Sequence, residues 1–456
     1  MQNNSLLLAF YGDDFTGSTD AMEALSINGF RTVLFLDVPT PEMLQQFEGI
    51  CCFGVAGTSR AKGITDMELE LRPVFERLSK VAVPVIHYKT CSTFDSSPEI
   101  GNIGKAIELA MDYYSNQKIV PLLVGAPPLG RFTLFGQHFA RMHDTVYRLD
   151  RHPTMSKHPI TPMNEADLRL HLTKQMSVPK SIGLMNILEL EGGVDEVKER
   201  YDQKAKMGFD ILLFDVLDDA RMLTSGRLIW ESSQESPQFV VGSSGIEYAL
   251  TSYWKSIGLQ PPAGGLLTEH IQSSDQMLVV SGSCSPVTKQ QIEIAIQAGF
   301  QGIKIPVEQI MNTDELPQNL LNEAIGYLKE GRSVILYTAS GPDDGAIIAT
   351  REHFNRMGLD ESQSGEFIGR QLGKWTLKIV NESGVRRIVV AGGDTSGFVT
   401  SEMNIFGLEV LLPVSPGAPL CKAYSMEESM NGIELALKGG QLGSPDYFLK
   451  IKYASS

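Results

Sequence analysis

The sequence predicts an α/β protein of two domains, each with a mainly parallel sheet flanked by helices. Three observations predict it. Apolar runs of strand length alternate with longer stretches of helical periodicity. The break Gly258-Leu259-Gln260-Pro261-Pro262-Ala263-Gly264-Gly265 interrupts this alternation, and a second series follows it. The chain has 456 residues, which fits two or three domains of roughly 100–200 residues each.

In the first series, strands are expected at residues 6–11, 32–36, 52–55, 85–88, 121–124, 211–214 and 238–241, with helices at 21–28, 64–78 and 103–114. In the second, strands are expected at 277–281, 302–305, 333–337, 387–391 and 409–412. The boundary falls between residues 255 and 275. It divides the chain into a first domain, 1–260, a linker, 261–274, a second domain, 275–435, and a C-terminal tail, 436–456, apolar enough at 447–453 to pack back on the body. No fixed-period repeat or low-complexity tract interrupts this order.

Composition narrows the function classes. The hydrophobic fraction is 42% and the charged fraction 20%, values of an ordinary globular protein. The net charge of −15 repels phosphate backbones and anionic lipid, so neither nucleic acid nor membrane is an expected partner. A local cluster of cations can still hold a small anion. The five cysteines, Cys51, Cys52, Cys91, Cys284 and Cys421, are odd in number and lack CxxC spacing. They read as reduced thiols of a cytoplasmic protein, not as a disulfide framework or zinc knuckle. The N-terminus lacks a basic stretch and a cleavage site, so no signal peptide is expected, and no apolar run nears the roughly 18 residues of a membrane span.

Three places repeat one local design, an apolar strand, a small-polar loop and a helix. In open α/β sheets such loops stand at the carboxyl ends of strands, where ligands bind and helix N–H groups favour anions. The first is Gly12-Asp13-Asp14-Phe15-Thr16-Gly17. Adjacent carboxylates there can take a proton from a hydroxyl or hold a metal ion. Equally, one caps the helix and the other faces water. The second is Ser281-Gly282-Ser283-Cys284-Ser285-Pro286, with Pro286 suited to a first helical position; it is a phosphate cradle or a plain serine cap. The third, Gly392-Gly393-Asp394-Thr395-Ser396-Gly397, is the strongest phosphate candidate, because its small residues let a polyphosphate lie against backbone. The chain carries no GxxxxGK[ST] and no proper GxGxxG. The turn Ser415-Pro416-Gly417-Ala418-Pro419 is an adenine wall or a connector.

The first domain holds further polar loops. Tyr88-Lys89-Thr90-Cys91-Ser92-Thr93-Phe94-Asp95-Ser96 packs a cation, hydroxyls and a carboxylate into one segment, a mix that suits a hydroxylated anion. Arg60 follows Gly57-Thr58-Ser59, and Arg131 follows Ala126-Pro127-Pro128-Leu129-Gly130, both at strand ends. His158-Pro159-Ile160-Thr161-Pro162-Met163 is a rigid turn whose lone histidine is by itself a weak signal. The other histidines show no metal spacing, and no metal ligands are assigned.

Taken in order, GDDFTG at 12–17, YKTCSTFDS at 88–96, GNIG at 101–104, HPITPM at 158–163, SGSCSPVT at 281–288, GGDTSG at 392–397 and SPGAPLCK at 415–422 resemble the four-carbon acid sugar kinases over nearly the whole chain. That family was first known as a domain of unknown function. The resemblance implies an N-terminal sugar-acid-binding domain, a C-terminal nucleotide-binding domain, and an active site in the cleft between them. It implies ATP-dependent phosphorylation of threonate, erythronate, 3-oxo-tetronate or the branched 3-oxo-isoapionate. The nucleotide role carries onto Ser283, Ser285, Gly392, Gly393, Asp394, Thr395, Ser396 and Gly417. The substrate role carries onto Asp13, Asp14, Arg60, Lys89, Ser92, Thr93, Asp95 and His158. Many tetronate kinases show a PENGR-like segment where this chain has Pro127-Pro128-Leu129-Gly130-Arg131. Losing an acidic and an amide side chain should change the hydroxyl pattern accepted.

The expected chemistry is transfer from ATP, its phosphates over 392–397 and bridged by Mg2+, to a hydroxyl deprotonated by Asp13 or Asp14, with the acid's carboxylate near Arg60 or Lys89. The small-molecule partners are then the sugar acid and ATP, and a homodimer is the candidate assembly. Two rival classes are an oxidoreductase, which would need a dinucleotide fingerprint, and a noncatalytic binding protein, which would need no carboxylate pair.

Overall fold

The computed structural model describes residues 6–259, 271–306, 317–356, 358 and 361–455; the side chains of Asn355, Asp394 and residues 361–363 fall outside that description. Most of the expected linker, 261–270, also lies outside the described residues. The strands are β1 (Leu8–Gly12), β2 (Thr32–Phe35), β3 (Cys52–Ala56), β4 (Val85–Lys89), β5 (Val120–Leu123), β6 (Arg131–Leu134), β7 (Gln137–Met142), β8 (Thr145–Arg148), β9 (Ile182–Met185), β10 (Ile211–Phe214), β11 (Gln238–Gly242), β12 (Leu278–Ser281), β13 (Gln301–Lys304), β14 (Val334–Tyr337), β15 (Arg387–Ala391), β16 (Ile405–Leu412), β17 (Leu420–Ser425) and β18 (Glu434–Lys438).

The chain forms two compact units, Met1–Thr32 with Asp37–Gly265, and Val33–Leu36 with Leu266–Ser456. In the first, the strand order β3-β1-β4-β11-β5-β10-β9 is parallel throughout. Its central strands are buried along their whole length, which is why they read as continuous apolar runs. Helix Ile64–Leu78 lays Met67, Leu71, Phe75 and Leu78 on the sheet, and Phe75 meets Tyr11, Tyr88 and Phe239 edge-on. A separate antiparallel sheet, β6-β7-β8, follows β5. The turn between its first two strands is Phe135-Gly136, both at positive φ (49° and 81°).

In the second unit, β13-β14-β12-β15-β18 run parallel. The sheet then continues antiparallel through β17 and β16 to β2. The strand β2 is contributed from the N-terminal segment, with Leu34 opposite Leu408 and Phe35 opposite Gly407. All four of its residues are buried. The strand expected at 409–412 begins at Ile405, and β17 and β18 were not expected. Since β18 spans residue 436, the segment read as a tail starts inside a strand that pairs with β15 and β17. The terminal helix Tyr447–Tyr453 is also fixed there: Arg387 Nη1 donates to Ile451 O at 3.0 Å and Lys452 O at 2.8 Å.

Candidate active site

In the first unit, backbone pairing continues past the end of β1. Gly57 N–H donates to Gly12 O, Arg60 N–H to Asp13 O and Asp13 N–H to Lys89 O, each at 2.9 Å. Asp13, Arg60 and Lys89, far apart in sequence, therefore meet at one strand end. Residue 12 must be glycine, because a Cβ there would lie 2.0 Å from Ser18 Oγ.

Asp13 is buried and takes Arg60 side-on, Nη2 to Oδ1 at 2.6 Å and Nε to Oδ2 at 3.2 Å. Arg60 Nη2 also lies 2.7 Å from Asp14 Oδ1. That same Asp14 oxygen accepts the Gly17 N–H at 2.8 Å and caps helix Phe15–Ile27. Asp14 Oδ2 has no partner among the described residues, and the side chain is 28% exposed. Capping and an available carboxylate oxygen thus coexist in one residue. Burial pushes the Asp13 carboxyl up against the pull of Arg60. Burial also works against the Arg60 charge, but Asp13 and Asp14 outweigh it and hold the guanidinium above its ordinary value.

Lys89 is buried, with Nζ 3.6 Å from Asp20 Oδ2, a partner the sequence did not single out. Burial raises the Asp20 carboxyl and Lys89 opposes it. A Cβ on Gly17 would lie 2.4 Å from Asp14 Oδ1, 2.9 Å from Lys89 Nζ and 3.2 Å from Arg60 Nη2. One carboxylate and two cations therefore close around a glycine.

The loop after β4 is held by its neighbours. His138 Nε2 bonds Ser92 O at 2.9 Å while its Nδ1 meets Thr133 Oγ1 at 3.0 Å. Burial lowers His138 to about 4, so this clamp is neutral. Thr93 Oγ1 lies 3.0 Å from Cys91 Sγ, and Ser96 Oγ bonds His171 and Gln175. Phe94 takes φ 54° inside this pinned segment. Asp95 belongs to another group: it bonds Thr161 Oγ1, and His158 Nδ1 lies 3.8 Å away. His158 Nδ1 accepts the Thr161 N–H at 3.1 Å, which leaves the ring proton on Nε2. No hydrogen bond or ion pair among the described residues joins this group to Asp13 and Asp14.

In the second unit, two loops clasp each other. A Cβ on Gly282 would lie 2.4 Å from Thr395 Oγ1, and one on Gly392 would lie 2.8 Å from that same oxygen. Helices Pro286–Gln297 and Gly393–Glu402 thus start side by side. Gly392 takes φ 132°, a conformation open to glycine, and helix Gly393–Glu402 has no side-chain cap. Open space lies over Gly393. Several hydroxyls expected at the nucleotide also make local hydrogen bonds. Ser283 Oγ accepts Ser285 N–H at 3.2 Å, Ser285 Oγ accepts Val287 N–H at 3.1 Å, and Ser396 Oγ donates to Gly392 O at 2.7 Å. Ser396 has spent its O–H, whereas Ser283 and Ser285 accept N–H groups and keep a hydroxyl proton to donate, beside the backbone N–H groups of the helix starts.

The sequence reading missed two features. Lys438, buried at the end of β18, donates to Thr288 Oγ1 at 3.0 Å in the first turn of helix Pro286–Gln297, and burial lowers it to about 8. A cavity of about 200 Å3 opens beside the loops, lined by Gly282, Cys284, Thr338, Ala339, Ile347 and Ile368 among others. Gly417 is not in its lining; it takes φ 73° at a turn closed by Ala418 N–H to Ser415 O. The missed signal was Ser340-Gly341-Pro342-Asp343-Asp344-Gly345, a further loop after a strand. There Asp344 accepts Ser340 and Ala346 N–H and pairs with Lys304, which holds its carboxyl well below the usual range.

Residues 8–250 match the family described as sugar-binding N-terminal domain, and residues 278–448 match the nucleotide-binding C-terminal domain. A 3-oxo-isoapionate kinase from Paraburkholderia graminis is 42% identical over 98% of this chain and 94% of its own length. A 3-oxo-tetronate kinase from Pseudomonas savastanoi is 27% identical over 99% of this chain and 97% of its own. A Haemophilus influenzae crystal structure of the DUF1537 family superposes with a TM-score of 0.73 at 24% identity, covering 97% of this chain and 99% of that one, and supports the fold.

Proposed function

The chain belongs to the four-carbon acid sugar kinase family, and on that premise we propose that its acceptor is 3-oxo-isoapionate and not a simple tetronate. It is a kinase that moves the terminal phosphoryl group of ATP onto a hydroxyl of a small sugar acid. The observation carrying this chemistry is the pair of adjacent helix N-termini at Gly282–Ser285 and Gly392–Thr395, one of them uncapped, in the unit that matches a nucleotide-binding domain. Backbone donors aimed at a polyphosphate neutralise charge without moving, which is most of what phosphoryl transfer asks of a protein.

We assign the sugar acid to the first unit, with its oxygens in the space around Gly17. Asp14 is the base: its Oδ2 is unpaired, whereas both oxygens of Asp13 are engaged by Arg60. As the hydroxyl oxygen bonds to the γ-phosphorus, the bond from phosphorus to the bridging oxygen of ADP breaks, and the hydroxyl proton passes to Asp14. Asp13 keeps Arg60 in place. The base of the nucleotide suits the cavity between Gly282, Ala339, Ile347 and Ile368, which is mostly apolar and lies beside the phosphate loops. Among the described residues no three His, Cys, Asp or Glu side chains gather to hold an ion. A Mg2+ ion arriving with ATP would take most of its ligands from phosphate oxygens and water, and would supply charge neutralisation there.

Two facts support the acceptor. The 3-oxo-isoapionate kinase is 42% identical, against 27% for a tetronate kinase. The segment Pro127–Leu129 also offers apolar side chains where polar ones would read hydroxyls. The cytoplasm is the proposed compartment; among the described residues no helix is long and apolar enough to cross a membrane. An ADP-release assay across 3-oxo-isoapionate, 3-oxo-tetronate, threonate and erythronate tests the acceptor. The branched acid should give at least about tenfold higher kcat/KM than the others; equal or better turnover of a tetronate refutes it.

A further inference from the structure

We propose that Arg131 is the receptor for the carboxylate of the sugar acid, taking it side-on through its Nε–Nη2 edge. The proposal deepens the kinase reading and rests on it for the identity of the anion.

A sugar acid is ionised at neutral pH, so its site needs a cation with donors to spare. Of the two cations expected from sequence, Arg60 is committed, and Lys89 faces Asp20 as a point charge without a planar edge to offer. Arg60 spends its Nε–Nη2 edge on Asp13 and shares Nη2 with Asp14. Lys89 lies 3.6 Å from Asp20. Arg131 is different. Its Nη1 donates to backbone carbonyls only, Leu129 O at 2.9 Å, Arg141 O at 3.4 Å and Gly130 O at 3.5 Å. Its Nε is buried with no partner, and among the described residues Nη2 has none either and no carboxylate pairs with it. The empty edge is the same edge through which Arg60 grips Asp13. A buried guanidinium donor without an acceptor is costly, and an incoming carboxylate would relieve that cost.

The side chain is also placed and held. Arg131 opens β6 just beyond the end of β5, and its backbone is locked by Ala126 N–H to Arg131 O at 2.9 Å and Arg131 N–H to Ala126 O at 3.1 Å. Burial pushes its guanidinium down, and the groups opposing that shift are Cys91 and Asp20. Cys91 is in the loop after β4, and Asp20 faces Lys89. The free edge therefore belongs to the same end of the sheet as Lys89, Asp14 and Gly17. Fixing the carboxylate there leaves the opposite end of a short acid for the base, and excludes neutral sugars.

The test is calorimetric binding together with ADP release. For wild type, Arg131→Gln and Arg131→Lys, the substrates compared are the sugar acid and its uncharged amide. Arg131→Gln should weaken acid binding about 100-fold and leave the ADP dissociation constant unchanged. The amide should bind wild type and Arg131→Gln equally weakly, which a merely structural role would not produce. Arg131→Lys keeps the charge but loses the two-pronged geometry, so its KM for the acid should rise about tenfold with kcat little changed. Free guanidinium should partly restore an Arg131→Ala variant. Unchanged acid affinity in Arg131→Gln, or equal losses for acid and amide, overturns the proposal. If Arg131→Gln does not fold, wild-type KM in Arg131→Lys overturns it. Should wild type bind the acid through Arg131 yet release no ADP, the kinase reading fails and the receptor stands.

Discussion

Replacing Asp14 by asparagine separates the two jobs this side chain holds. Its Oδ1 accepts the Gly17 N–H at 2.8 Å as a helix cap, and its Oδ2 is the oxygen assigned to take the proton. Asparagine caps about as well as aspartate, so the cap should lose only a few tenths of a kcal/mol, and loss of the partly exposed ion pair with Arg60 adds roughly 0–1 kcal/mol. An amide cannot accept the proton, and loss of a positioned base costs about 10²–10⁴ in rate. Asp14→Ala removes the cap as well, at about 0.5–2 kcal/mol. In a unit of this size each kcal/mol lowers Tm by roughly 2–4 °C. Asp13→Asn should show the opposite balance. It breaks a buried bidentate ion pair, which costs about 3–5 kcal/mol, so stability falls before any effect on chemistry is read. ADP release and thermal melts of the three variants are the assay. If Asp14→Asn keeps more than about a tenth of wild-type kcat, or melts many degrees lower, the division of roles is wrong.

Gly17→Ala puts a methyl 2.4 Å from Asp14 Oδ1 and 2.9 Å from Lys89 Nζ. It should cut kcat/KM for the acid at least about 100-fold while ADP binding, measured by calorimetry, stays as it was. Lys438 is held near 8 by burial, so it is charged below that pH and neutral above. ADP affinity should therefore fall as pH rises through about 8, and Lys438→Met should bind more weakly with that limb flattened. His138 titrates near 4 in the fold against 6.5 in the unfolded chain. The unfolded state binds more protons between those values, so stability is present above 6.5 and lost as pH falls toward 4. At the acid end the loss is on the order of 3 kcal/mol, and urea midpoints of His138→Gln should show a shallower decline.

Much of the parallel framework was legible because buried parallel strands are apolar on both faces. Val-Ile-His-Tyr-Lys of β4 and Arg-Ile-Val-Val-Ala of β15 stand out even against weak local signals. The elements missed have physical reasons. The hairpin of β6 and β7 turns on Phe135-Gly136, without the Asn or Asp that usually marks such a turn. Glu-Leu-Ala-Leu-Lys of β18 is a helix former by composition, and its place between β15 and β17 overrides that preference. The run at β2 was visible, but nothing local says that its partner is Gly407–Glu409, far along the chain.

At the site, residue types were easier to read than partners. Asp13, Asp14, Arg60 and Lys89 were named from loops, yet their pairing depends on backbone bridges spanning strands far apart in sequence. That pairing engages Arg60 with Asp13 and sets Lys89 opposite Asp20, and it is the ground for proposing Arg131 as the carboxylate receptor. The serines of the second unit looked like ligands because serine caps and phosphate donors share a composition. In the fold Ser283 and Ser285 accept local N–H groups while Ser396 donates to Gly392 O, and the first two keep a proton for a ligand.

The central claim is transfer of phosphate from ATP to a sugar acid, and phosphorus NMR of the enzyme with ATP and 3-oxo-isoapionate follows that atom directly. Consumption of ATP should require the acid and should yield ADP and a phosphate monoester of the acid in equal amounts. Release of inorganic phosphate alone, or no turnover of ATP with any small sugar acid, would contradict the account.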